Sequence, residues 1–229
     1  MIYFVSYPKS GRTWLKLLIQ TYFEACNKVN KPYVFTHGGY SVNPDQWTLE
    51  RIQNKILTQT NKQQDKLVVL TRSIPDTLAS YYDDCCKRYI MYKGTLDEFV
   101  QDEDVGLENI VKFYQHLNDL SRIDYLISYE QMIHTPYESL TPIMEMLQDG
   151  APVKKMALER TIKYCEFSNI SKLERNNKID MRNDNNVNGF YKARKGKIGS
   201  HKEEMSPELI KYIQDNIPKN INEYYKRVK

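Results

Sequence analysis

The feature that most constrains this chain is its opening, Met1-Ile-Tyr-Phe-Val-Ser-Tyr-Pro-Lys-Ser-Gly-Arg-Thr-Trp14. An apolar, strand-like run meets a Pro-Lys-Ser-Gly turn and passes at once into an amphipathic segment. Leu15, Leu18, Ile19, Tyr22 and Cys26 recur at helical spacing on one face. A strand feeding a helix through a tight glycine turn builds an anion cradle, because a helix N-terminus offers unpaired N–H donors. Gly11 allows close backbone approach to a ligand, and Lys9 sets a mobile positive charge beside it.

The same alternation continues along the chain. Lys66–Thr71 is a continuous apolar run of the buried parallel-strand type. Pro75 then opens a helix carrying Ser80 to Met91, and further helices are expected over residues 48–60 and 106–120. A strand is predicted over Arg122–Tyr129. Thr135-Pro-Tyr-Glu138 reads as a capping box starting a helix that runs to Gly150. A short helix near Lys154–Tyr164 precedes a polar tract over 176–204, and Ser206-Pro207 caps a final helix. The expected fold is α/β: one domain over 1–229, with a central, mainly parallel sheet flanked by helices and a P-loop-like turn. The polar tract is expected to act as a lid.

Composition narrows the function. A net charge of +4 gives no general nucleic-acid footprint, although a local basic cluster for a polyanion is compatible with it. No apolar run approaches the roughly 20 residues that span a bilayer, and Met1–Tyr7 reads as a first strand rather than a targeting segment. Cys26, Cys85, Cys86 and Cys165 lack metal-like spacing and read as free thiols, which fits a cytoplasmic location.

Three separated segments resemble the cytosolic-type sulfotransferase family. Tyr7-Pro-Lys-Ser-Gly-Arg-Thr-Trp14 is similar to its 5′-phosphosulfate loop, and Leu70-Thr-Arg-Ser-Ile-Pro-Asp-Thr-Leu-Ala-Ser-Tyr-Tyr82 to its 3′-phosphate segment. Arg194-Lys-Gly-Lys-Ile-Gly199 resembles the Arg-Lys-Gly-x-x-Gly loop that closes over the nucleotide. Ser128-Tyr129-Glu130 and Glu166-Phe167 stand where the family has its Tyr-Glu-Asp and adenine-contacting elements. The resemblance implies a compact, bacterial-type enzyme that uses 3′-phosphoadenosine 5′-phosphosulfate (PAPS) as donor, releases 3′-phosphoadenosine 5′-phosphate (PAP) and needs no metal. It assigns Lys9, Ser10, Gly11, Arg12 and Thr13 to the 5′ end, and Arg72, Ser80 and Arg194 to the 3′ phosphate. Trp14 and Phe167 would sandwich adenine, with Tyr129, Lys195 and Gly196 completing the nucleotide site. An Arg fork suits a phosphate through paired hydrogen bonds.

Sulfuryl transfer to a hydroxyl or amine needs a base, and histidine suits that task near neutral pH. Of His37, His116, His134 and His201, the family's Thr-His pair at the end of the second strand selects His37, with His201 as rival. The sequence departs from better-known animal members, which carry Lys two residues before this histidine where Phe35 stands here. Their C-terminal dimerisation pattern is also missing, so oligomeric state is open. A small-molecule or lipid-like acceptor is expected, with Tyr40, Trp47, Tyr81, Tyr82, Tyr89 and Tyr92 as aromatic wall residues. Two alternatives compete: a P-loop kinase or NTPase, and a non-catalytic nucleotide-binding module. The first is disfavoured because Lys9 precedes the glycine and neither strand ends in a metal-binding Asp.

Overall fold

The structure, a computed structural model, describes residues 1–30, 32–37, 65–118, 123–176, 178–179, 191 and 195–221. The expected helix over 48–60, Tyr40, Trp47, Arg194 and most of the expected lid lie outside them.

Among the described residues, four strands form one sheet: β1 (Ile2–Ser6), β2 (Tyr33–Thr36), β3 (Lys66–Thr71) and β4 (Tyr125–Ser128). Their order is β2-β1-β3-β4, and every pairing is parallel. The chain moves to opposite sides of β1 in its successive crossovers, so the order reverses there. Ligands of open parallel sheets bind at such a switch point, beyond the carboxyl ends of the strands. The turn after β1 occupies that place.

Both faces of the sheet are covered. Ile2, Phe4, Val68, Leu70 and Ile127 pack toward α1 (Arg12–Cys26), α5 (Tyr129–His134), α6 (Pro136–Leu147) and α7 (Lys155–Tyr164). Val5, Leu67 and Val69 face α2 (Ile74–Asp83), α3 (Leu96–Gln101), α4 (Leu107–Asn118) and α9 (Pro207–Asp215). The period-2 alternation of strand side chains splits the core into these two layers. Helix α8 (Phe167–Arg175) follows α7. In α1 the buried face is Leu15, Leu18, Ile19, Tyr22, Phe23 and Cys26. Truncating a side chain such as Leu18 to Ala there costs about 2–5 kcal/mol. Among the described residues, no helix is long and apolar enough to cross a membrane.

Several local expectations change. The strand predicted over 122–129 is confined to Tyr125–Ser128, because Ser128 and Gln131 form the capping box of α5 and pull Tyr129 into that helix. Thr135 caps no N–H with its side chain; its hydroxyl donates to the Gln131 carbonyl at 3.4 Å, closing α5 instead. Helix α2 ends at Asp83, and a π-turn over Asp84–Arg88 replaces its expected continuation.

Candidate active site

The turn after β1 is shaped by two left-handed residues, Lys9 at φ 68° and Gly11 at φ 97°. Gly11 caps α1, its carbonyl accepting from Trp14 and Leu15 N–H. A Cβ on Gly11 would lie 2.6 Å from Tyr129 Cδ2, so the position requires glycine for conformation and for space. No backbone hydrogen bond from the Gly11, Arg12 or Thr13 N–H groups is present among the described residues. These donors are therefore free for an anion.

Above the turn lies a cleft of about 630 Å³. Lys9, Gly11, Arg12, Thr13, Trp14, His37, Arg72, Ser80, Tyr129, Phe167, Lys195 and Gly196 all line it. Motifs 185 residues apart in sequence thus converge on one cavity (Gly11 to Gly196). Ser10 is the exception. It is fully buried and does not line the cleft, and its Oγ has no hydrogen-bond partner.

Arg72 follows β3 and is held as a buried fork. Its Nη1 donates to the Lys9 carbonyl at 3.0 Å, and its guanidinium stacks 4.5 Å over the Tyr129 ring. Its Nε is buried without a partner. Ser73 N–H donates to Glu130 Oε1 at 2.9 Å, pinning the start of α2. Tyr129 also meets Trp14 edge-on at 5.5 Å, and Trp14 Nε1 donates to the Cys165 carbonyl at 2.8 Å. This fixes Trp14 as a rigid wall at the start of α1.

Opposite, Phe167 begins α8 with Gly196 against its ring. A Cβ on Gly196, whose φ is 58°, would lie 2.0 Å from Phe167 Cδ2. The neighbouring Lys195 is ion-paired with Glu203 at 3.3 Å and with Glu204, so its ammonium is held by carboxylates in this conformation. The loop is anchored from below by Asp76, at 1% exposure. That carboxylate accepts from Gly199 N–H at 2.7 Å and from His201 N–H at 3.0 Å. His201 Nδ1 lies 2.7 Å from the same Oδ1. Burial alone would raise the Asp76 pKa, but these donors and the nearby Arg72 outweigh it and hold the carboxyl low. His201 thus has an anchoring role, and it does not line the cleft.

His37 follows β2, with Nδ1 2.8 Å from the Ser6 carbonyl. A carbonyl cannot donate, so Nδ1 carries the proton and Nε2 keeps its lone pair. Burial, then the charges of Arg12 and Lys9, push its pKa down to about 3, against a smaller opposing effect of the Ser6 bond. The ring is neutral at physiological pH.

Sequence reasoning missed the acidic partner of Lys9. Lys9 Nζ lies 2.9 Å from Asp84 Oδ2, which Arg88 Nη1 approaches to 3.7 Å. Asp84 and Arg88 are 3% and 4% exposed. Their i, i+4 spacing was the available signal, but such pairs ordinarily mark a solvated helix face. Of the expected aromatic wall, Tyr89 lines the cleft. Tyr81, Tyr82 and Tyr92 instead pack edge-on around Phe99 in the core.

A parallel α/β sheet with an open anion turn at its switch point, and Arg72 one strand away in the same cleft, defines a protein built to bind an anionic ligand there. A family model described as sulfotransferase domain matches residues 2–224. The chain belongs to the sulfotransferase family and is a PAPS-dependent sulfotransferase by class. It is 24% identical to flavonol 3-sulfotransferase of Flaveria bidentis, over 96% of this chain and 81% of that protein. It is 25% identical to cytosolic sulfotransferase 13 of Arabidopsis thaliana, over 93% and 74%. Its fold matches mouse sulfotransferase SULT7A1 complexed with PAP at a TM-score of 0.65 and 18% identity, covering 99% and 88% of the two chains. Retinol dehydratase, solved with androsterone and PAP, matches at a TM-score of 0.60 and 16% identity, covering 93% and 78%.

Proposed function

We propose that the cleft transfers a sulfuryl group from PAPS to the hydroxyl or amine of a small-molecule acceptor by in-line displacement, with His37 as general base. The observation that carries this is the neutral His37, oriented by Ser6, in the same cleft as the open turn Lys9–Thr13. His37 Nε2 takes the acceptor proton as the acceptor oxygen bonds to sulfur. The sulfur–oxygen bond to the 5′ phosphate breaks, and its electrons leave with PAP. Lys9 leaves Asp84 to neutralise charge growing on that phosphate, together with the Arg12 and Thr13 N–H groups.

The unpartnered Arg72 Nε and the Ser80 wall favour a 3′ phosphate at the β3–α2 junction. Arg194 and Lys195 would complete that site, Lys195 by exchanging Glu203 and Glu204 for phosphate. Trp14 and Phe167 flank the space for adenine, and Ser10 supports the turn from behind. The tract over 176–204 closes the site as a lid. The names of two Arabidopsis relatives, cytosolic sulfotransferases 3 and 13, favour a cytoplasmic setting.

Calorimetric titration with PAP, 5′-AMP and ATP-Mg²⁺ tests the nucleotide site. PAP is expected to bind at least 10-fold more tightly than 5′-AMP, because each charge-assisted hydrogen bond contributes about 1.5–3 kcal/mol. Equal binding overturns the 3′ site. His37→Ala should slow transfer about 100-fold or more while PAP affinity stays within a few fold. Near-wild-type transfer in that variant removes His37 as base.

A further inference from the structure

The wall of the cleft formed by the π-turn has features that donor binding leaves unexplained. Arg12, His37, Arg88 and Tyr89 line the same cleft, and Asp84 at the start of the π-turn meets Lys9 at 2.9 Å. Arg88 lines the cleft with only 4% of its surface exposed. Its Nη1 faces Asp84, whereas Nε and Nη2 have no hydrogen-bond partner and are closed to water. Those two N–H groups form one side of the guanidinium, the edge that takes a carboxylate through two parallel hydrogen bonds. Leaving such donors buried and unmet is unfavourable, so the arrangement calls for a ligand group.

Lys9, Arg12 and Arg88 line this part of the cleft against Asp83 and Asp84; Asp83 is paired with Lys87 at 2.6 Å and Asp84 with Lys9 at 2.9 Å, and Asp84 Oδ1 has no hydrogen-bond partner. The backbone is also strained there. A π-turn is followed by Ile90 at φ 53°, a β-branched residue in the left-handed region. Both features concentrate at binding and catalytic sites.

We propose that the Asp84–Tyr89 wall selects hydroxyl acceptors that carry a carboxylate, bound by the Nε–Nη2 edge of Arg88. This rests on the sulfotransferase reading and names the substrate class of the same site. Arg88 is the specificity determinant: Asp84 approaches its Nη1 at 3.7 Å and leaves the opposite edge without a protein partner. Tyr89, stacked on the guanidinium at 5.0 Å, gives way with the strained Ile90 segment as the carboxylate enters.

The test uses the full chain saturated with PAP and titrates three para-substituted phenols that differ in charge: 4-hydroxybenzoate, 4-hydroxybenzyl alcohol and tyramine. Expected is at least 10-fold tighter binding of 4-hydroxybenzoate than of the other two. In Arg88→Met the preference should fall below about 3-fold, with PAP affinity retained as evidence of folding. Arg88→Lys, which keeps the charge but not the fork, should hold only part of it. Equal or absent binding of the three probes overturns the proposal, as does a preference that survives in Arg88→Met. Tightest binding of tyramine also overturns it, since Asp84 would then be the selecting group. Should Arg88→Met fail to fold, the wild-type ranking and Arg88→Lys still decide. PAP bound without a carboxylate preference sinks this inference alone; PAP bound no better than 5′-AMP sinks the sulfotransferase reading beneath it.

Discussion

Replacing Gly11 with alanine should damage both stability and donor binding, and the structure separates the two causes. At φ 97° and ψ 10° an L-residue is strained, which costs about 1–3 kcal/mol. The new methyl meets Tyr129 Cδ2 at 2.6 Å, roughly 1 Å inside ordinary carbon contact. Tyr129 cannot simply swing away. Arg72 lies 4.5 Å over its ring, and Trp14 packs edge-on at 5.5 Å. Forcing a methyl into such a site costs about 1–3 kcal/mol more. The expected loss is therefore about 2–6 kcal/mol in urea unfolding. A cycle with Tyr129→Ala isolates the steric part: the double variant should be about 1–3 kcal/mol more stable than the sum of the single losses implies. The backbone strain should survive in it, so PAP affinity stays low. Simple additivity of the two substitutions would falsify the packing argument, and unchanged PAP binding in Gly11→Ala would remove the turn from the donor site.

Other expectations follow from the same contacts. The folded-state pKa of His37, about 3, lies below its unfolded value of about 6.5, so its stabilising contribution is full above pH 6.5 and declines as pH falls toward 3. Between pH 7 and 5 the wild type should lose at most about 2 kcal/mol more than His37→Gln in urea unfolding, and parallel slopes would contradict a buried neutral ring. Asp84→Asn leaves Lys9 and Arg88 without their shared carboxylate; a stability loss of about 3 kcal/mol is expected, and a loss under 1 kcal/mol would show that the pair is solvated. Asp76→Asn weakens the anchor of residues 199–201, so PAP affinity should drop about 10-fold and the fold should lose about 1–3 kcal/mol in urea unfolding. Limited proteolysis that cuts near Gly199 no faster than in wild type would argue against the anchor.

The turn and the strand-end residues that line the cleft were legible in the sequence because their placement is local. Pro8 to Trp14 carry turn, charge and helix start in one stretch, and Arg72 and Ser80 are set by the ends of β3 and the pitch of α2. What a strand end or a helix turn fixes can be read from spacing alone. The Asp84–Tyr89 wall depends on contacts between distant segments and on backbone that departs from regular spacing. In a continuous α-helix, Asp84 and Arg88 would read as one more solvated i, i+4 pair; the π-turn inserts an extra residue and turns both inward, where Asp84 reaches Lys9 from 75 positions away. Tyr81, Tyr82 and Tyr92 follow the ordinary packing that 18 tyrosines in one chain lead one to expect, rather than forming an acceptor wall. Aromatic count carries no information about facing, and the rings settle around Phe99 because burial there satisfies them without a ligand. The division has a physical basis: a short rigid turn is set by its own residues, whereas the Asp84–Tyr89 wall takes its shape from contacts between distant segments. The irregular backbone lies in that wall, and so does the one guanidinium edge among the described residues that has both Nε and Nη2 buried and unmet.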